Sequence, residues 1–163
     1  MSTTTMSTSL RELVEEALAT GTLANLPQQH FIDGQWTAPA NGGRMRSVDP
    51  GTGRAFTEFA AGDAEDVDRA VHAARGALRG PWGRLPPAQR GRVLLRSAEL
   101  IRAQAERLAV IETLDSGKRI SEALGDVSGA ARCFEYYAGA CDKLHGDTIP
   151  IGPDHLAYTV HEP

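Results

Sequence analysis

Apolar residues in this chain alternate between a three-to-four-residue rhythm and short every-other-residue runs, and that switching predicts its elements. Leu10, Leu13, Val14, Ala17 and Leu18 fall on one stripe behind Ser9 and Glu12, a capping-box pair. A short helix is therefore expected from about Leu10 to Thr20, stopped by Gly21, after a disordered Ser/Thr-rich stretch from Met1 to Thr8. Phe31-Ile32 and Gln35-Trp36 flank Asp33-Gly34, whose two residues tolerate the positive φ of a tight hairpin. Further strands are expected over Arg44–Val48 and Ala55–Ala60, joined by the turn Asp49-Pro50-Gly51-Thr52-Gly53.

Three long helices follow. Asp63 caps the first, with Asp66 at the capping-box position, and Val67, Ala70, Val71, Ala74 and Leu78 predict a single buried stripe. Gly80-Pro81-Trp82-Gly83 ends it. Pro86 and Pro87 suit the first turn of the second helix, where a missing N–H costs nothing. Its face of Leu94, Leu95, Ala98, Ile101, Ala105, Leu108 and Ile111 runs towards Asp115, with a kink expected near Ala103 to Glu106. The third helix carries Ile120, Ala123, Leu124, Val127, Ala131, Phe134, Ala138 and Cys141 until Gly146 breaks it. Thr148–Ile151 and His155–His161 read as a closing β-hairpin around Gly152-Pro153-Asp154. Strands and helices are segregated and no parallel βαβ repeat is evident, so the class is α+β.

Composition changes this picture little. The 163 residues are 41% hydrophobic and 23% charged, as in an ordinary globular domain. A formal net charge of −4 supplies no basic field to recruit nucleic acid or an anionic membrane surface. The arginines between Arg84 and Arg107 are interleaved with Glu99 and Glu106 at helical spacing, which makes a solvated face. No apolar run is long enough to span a bilayer, and the start lacks the basic and apolar regions of a secretory leader. Cys133 and Cys141 lie eight residues apart on one predicted helix, so about 12 Å separates their Cα atoms. That is too far for a disulfide, and a reducing cytoplasm is expected.

Candidate chemistry is thin. Cys133 and Cys141 fall on or near the apolar stripe of the third helix, which predicts small buried hydrophobes and no nucleophile. The histidines, His30, His72, His145, His155 and His161, show no metal-site spacing and are expected at surface or hairpin positions. Asp63, Glu65, Asp66 and Asp68 suit a helix start, where the dipole favours negative charge. No G-x-G-x-x-G occurs, and Gly51-Thr52-Gly53 leads into a strand, whereas a phosphate cradle must open a helix.

The run Glu112-Thr113-Leu114-Asp115-Ser116-Gly117-Lys118 carries more information than any of these. Together with Phe31-Ile32-Asp33-Gly34-Gln35-Trp36 and Tyr136-Tyr137-Ala138-Gly139, it resembles the amino-terminal third of an NAD(P)-dependent aldehyde dehydrogenase, from about His30 to Pro163. The resemblance implies an incomplete, Rossmann-like α/β cofactor domain. Residues 1–29 would be a tail and short helix, 30–146 the first part of that domain, and 147–163 the first strands of an oligomerisation arm. The complete enzyme would oxidise an aldehyde to a carboxylic acid through a cysteine thiohemiacetal, passing hydride to NAD or NADP in a homo-oligomer. Its nucleophilic cysteine, general-base glutamate and glycine motif would all follow Pro163, so no catalytic or cofactor-binding residue is assigned here and no NAD or NADP is expected to bind this chain alone. Ser47, Val48 and Asp115 match positions that hold a structural monovalent cation in many members. The implied partner is the remainder of the enzyme or a homologous subunit. The alternatives are a non-enzymatic assembly module docking through the terminal hairpin and a truncated remnant that does not fold stably.

Overall fold

The computed structural model describes residues Ser7–Glu162. The expectation of disorder over residues 1–6 lies outside them. In chain order the elements are α1 (Thr8–Thr20), β1 (His30–Ile32), β2 (Gln35–Thr37), β3 (Arg44–Asp49), β4 (Arg54–Ala60), α2 (Ala64–Arg79), α3 (Pro81–Arg84), α4 (Pro87–Ala103), α5 (Ala105–Ser116), α6 (Ile120–Ala140), β5 (Thr148–Ile149) and β6 (Ala157–Tyr158). Each strand pairs antiparallel with its neighbour, giving three separate two-stranded sheets among the described residues. Helices and small strands remain segregated, as the α+β reading requires.

Local signals explain most boundaries. Asp33 and Gly34 take φ of 52° and 73°, the geometry a two-residue hairpin needs, and Phe31 pairs with Trp36 across it. The Asp63 carboxylate accepts from the Glu65 and Asp66 N–H groups while Asp66 returns a bond to the Asp63 N–H, completing the expected capping box. Gly21 closes α1 at φ 73° with its N–H on the Ala17 carbonyl. The kink anticipated in the second helix is a full break at Gln104, whose N–H bonds back to Leu100 and Ile101 while its carbonyl starts α5.

Several expectations are corrected. Helix α1 starts at Thr8 and is capped by Ser7, not Ser9, because the Ser7 hydroxyl accepts from the Leu10 N–H. A short helix, α3, forms at Pro81–Arg84 where only a stop was expected; Pro81 at its first position both prevents α2 continuing and presets the next turn. The α6 helix ends at Ala140, ahead of Gly146. The closing strands shrink to two residues each, since a hairpin without a partner sheet has little to hold it.

The core is narrow and built of small residues. Leu10, Ala17, Leu23 and Val110 are buried between α1 and α5, with Leu13, Leu26, Ile111 and Leu114 packed around them. Ala109, Ala123 and Val127 are buried where α5 meets α6, against Ile101 and Leu124. Gly91 and Ala98 of α4 face Ala131 and Ala138 of α6, and small side chains let the two backbones approach closely. The predicted stripe of α2 is not buried: Val67, Val71 and Leu78 are 59%, 42% and 47% exposed. Periodicity establishes that a helix has an apolar face; whether this chain covers that face is a tertiary matter.

Candidate functional site

Residues of the Glu112–Lys118 run sit where α5 ends against β3. Ser116 closes the helix with its hydroxyl on the Glu112 carbonyl, and Gly117 turns the chain at φ 73°. Only glycine suits that turn, because a Cβ there would lie 2.8 Å from the Pro50 ring as well as adopting a left-handed backbone. Lys118 then reaches back to Glu112 (2.6 Å) and across to Asp126 of α6 (2.8 Å), tying the α5–α6 junction. Those carboxylates, Asp126 foremost, raise the Lys118 pKa above its ordinary value and keep it charged.

The candidate cation ligands are partly assembled. The Ser47 hydroxyl donates to Asp115 Oδ1, joining β3 to the last turn of α5. A shift in the β3–β4 register falls between Ser47 and Val48, so an irregular backbone lies beside the pair. Ser47 and Asp115 share a cavity of 240 Å³ whose wall includes Phe56 and Ile111. Val48 is next along the strand and half exposed, but it does not line that cavity. Hydroxyl, carboxylate and carbonyl oxygens are the donors a hard cation takes.

The other candidates are scattered. Cys133 is exposed and Cys141 only half-buried, with its thiol on the Tyr137 carbonyl (3.3 Å), which corrects the expectation that both pack as buried hydrophobes. Cys133 lies off the α6 face formed by Ala123, Val127, Ala131 and Ala138, at a helical angle that turns it to solvent. His72, His145 and His155 are exposed, and His161 bonds the His145 carbonyl at the hairpin base (2.9 Å). Among the described residues, no group of three or more His, Cys, Asp or Glu is placed to hold a metal. Asp49 uses its carboxylate on the Thr52 hydroxyl (2.7 Å) and Gly51 N–H (2.8 Å), bonds that lower its pKa, and the turn passes into β4 as a strand.

One residue has a larger part than its sequence position suggested. Asp66 is buried (3% exposed) and its carboxylate accepts from the Ala40 N–H, the Asp63 N–H and the Arg69 guanidinium. Burial pushes its pKa up, but the Arg69 bond and the two backbone donors outweigh it and bring the carboxyl down to about 2. His30 of β1 stands 3.6 Å from the same carboxylate without a hydrogen bond to it, while the Ala40 N–H on Asp66 and the Arg69 guanidinium on the Ala38 carbonyl tie the Ala38–Ala40 loop to this helix cap. Nothing in the periodicity marks this, although an Asp at a helix start followed by Arg three residues on is a usable hint.

Comparison with known proteins places this arrangement. The aldehyde dehydrogenase family pattern matches residues 36–163. An aldehyde dehydrogenase-like protein of Schizosaccharomyces pombe is 46% identical over 160 residues, covering 97% of this chain and 32% of its own length. The mitochondrial aldehyde dehydrogenase of Equus caballus is 46% identical over 138 residues, covering 83% of this chain and 28% of its own. Among solved structures, an indole-3-acetaldehyde dehydrogenase of P. syringae in complex with NAD+ and IAA superposes with a TM-score of 0.79 at 37% identity, over 93% of this chain and 30% of that one. The chain thus spans about a third of the length of the relatives it matches, the share expected of an amino-terminal portion. With the Glu112–Lys118 junction, the hairpins and the helix order in the places the resemblance implied, this chain belongs to the aldehyde dehydrogenase family.

Proposed function

We propose that this chain is the scaffolding part of an aldehyde dehydrogenase: residues 30–146 form outer helices and first strands of its cofactor domain, and residues 147–163 begin its assembly arm. The complete enzyme oxidises an aldehyde to a carboxylic acid with NAD or NADP, and its partner surfaces belong to the remainder of the enzyme and to further copies of it. The observation that carries this reading is exposed area. A compact monomer of this mass presents about 7,900 Å² to solvent, whereas this chain presents 12,047 Å². Its outward faces include Val67, Val71 and Leu78 of α2, Tyr136 and Tyr137 of α6, and Ile151, Leu156 and Tyr158 of the terminal hairpin region. Apolar exposure on this scale marks interfaces.

Ser47, Val48 and Asp115 would hold the monovalent cation through oxygen donors, a role supported by the contact of Ser47 with Asp115 beside the β3 irregularity. The unpaired cysteines suit a reducing compartment, and we place the protein in the cytoplasm on that ground. Among the described residues, no helix is long and apolar enough to cross a membrane.

The test is NADH formation by the pure chain offered an aldehyde and NAD+. No turnover is expected, and replacing Cys133 or Cys141 with Ser should leave the trace flat. Cysteine-dependent NADH production would place the chemistry inside this chain and refute the assignment.

A further inference from the structure

The loop between β2 and β3 carries a reactive pair of residues that aldehyde oxidation does not call upon. Only two asparagines occur in the chain, Asn25 and Asn41. Asn41 is followed by Gly42, and both are exposed. The amide nitrogen of the residue after an asparagine can attack its side-chain carbonyl and close a five-membered imide, an intramolecular step limited by access and geometry. A Cβ on that next residue shields the nitrogen. Gly42 has none, and a Cβ built there would meet nothing within 4 Å, so the nitrogen stands open.

The loop also prepares the carbonyl. The Gly43 N–H donates to Asn41 Oδ1 (2.7 Å). That oxygen takes up negative charge when Cγ is attacked, so the donor already stands where an oxyanion needs it. The Gly42 N–H is held by the Pro39 carbonyl (3.1 Å), a turn bond in an exposed loop that opens at little cost. Asn25 differs: its successor Leu26 is half-buried and packs against the core cluster of Leu10, Ala17, Leu23 and Val110.

We propose that Asn41-Gly42 is a site of spontaneous deamidation and isoaspartate formation. The Gly42 nitrogen gives its proton to solvent and bonds to Asn41 Cγ. The Cγ–Nδ2 bond breaks and Nδ2 leaves as ammonia, with nothing oxidised or reduced. Water then opens the imide at either carbonyl. Breaking the new bond to Cγ gives an aspartyl link; breaking the original peptide bond gives an isoaspartyl link, with the main chain routed through Cγ. The isoaspartyl link adds a methylene to the main chain and a negative charge to the loop. It falls between two anchors, the Ala40 N–H on the Asp66 carboxylate (3.2 Å) and the Gly43 carbonyl accepting from the Ala61 N–H (3.0 Å). Only Asn41 and Gly42 lie between those anchors, so the longer chain displaces one of them.

The full chain would be kept in warm, mildly alkaline buffer for the time in which a synthetic peptide of residues 38–44 deamidates, then digested and mapped by mass spectrometry. The fragment bearing Asn41 should gain the mass of an NH2-to-OH exchange and split into aspartyl and isoaspartyl forms, while the Asn25 fragment stays unchanged. Asn41→Gln, whose side chain would have to close a larger ring, should show no gain. The deamidated protein, separated by ion exchange, should unfold at a lower urea midpoint than Asn41→Asp, which carries the same charge without the extra methylene. An unchanged Asn41 fragment, equal reaction at Asn25, or a deamidated protein as stable as Asn41→Asp would each overturn the proposal.

Discussion

Replacing Gly91 and Gly76 with alanine, one at a time, separates a packing contact from a propensity effect. Both glycines lie inside helices, where alanine is favoured by about 1 kcal/mol. A Cβ on Gly76 of α2 meets nothing within 4 Å, so Gly76→Ala should gain most of that amount. On Gly91 of α4 the same atom would lie 2.6 Å from the Ala138 carbonyl oxygen and 3.7 Å from the Cys141 Cβ, both on the α6 side of the contact. A carbonyl in a helix cannot swing aside as a side-chain tip can. The α4–α6 pair must separate, at the usual overpacking cost of about 1–3 kcal/mol. Gly91→Ala should therefore be neutral to destabilising by about 2 kcal/mol despite the better helix former. Urea denaturation followed by far-ultraviolet circular dichroism measures both variants against the parent. If Gly91→Ala were stabilised as much as Gly76→Ala, the close approach of α4 to α6 would be refuted, and with it the small-residue account of the core.

Asp66→Asn should flatten the acid limb of stability. The folded pKa of Asp66, about 2, lies below its ordinary 3.8, so the stabilisation it provides is present above pH 4 and lost as pH falls towards 2. Urea midpoints at pH 6 and pH 3 should therefore differ more in the parent than in the variant, and equal slopes would contradict the network drawn around Asp66. For the cation, potassium or sodium chloride should raise the urea midpoint beyond what an equal concentration of choline chloride achieves, and Asp115→Asn should remove that difference; its persistence in the variant would exclude Asp115 as a ligand.

Local chemistry was the most legible part of this fold. Asp33-Gly34, Gly21 and the Asp63–Asp66 box carry their conformations in their own side chains or in the lack of one, and they stand where the pattern put them. What sequence could not show depended on neighbours. The α2 stripe of Val67, Val71 and Leu78 is as periodic as a buried one, yet these three side chains are 42–59% exposed among the described residues. Cys133 is exposed because it lies two positions from buried Ala131, about 200° round a helix of 3.6 residues per turn, and so nearly opposite the buried stripe. The Ser47–Asp115 contact spans 68 positions and was legible only through family resemblance, since neither residue signals the other. The Asp66 hub was hidden differently: its capping role was correct, but its reach to Ala40 and His30 follows from how the hairpin docks.

Complementation tests the central claim most directly. The chain would be mixed with the remaining two-thirds of an aldehyde dehydrogenase close to 46% identical, produced separately, and NADH formation followed alongside the mass of the species in solution. The account predicts that neither part forms NADH alone, and that the two join in equal numbers, cover the α2, α6 and hairpin faces, and gain aldehyde-dependent activity together. Activity in this chain alone, or a compact monomer indifferent to the other part, would contradict it.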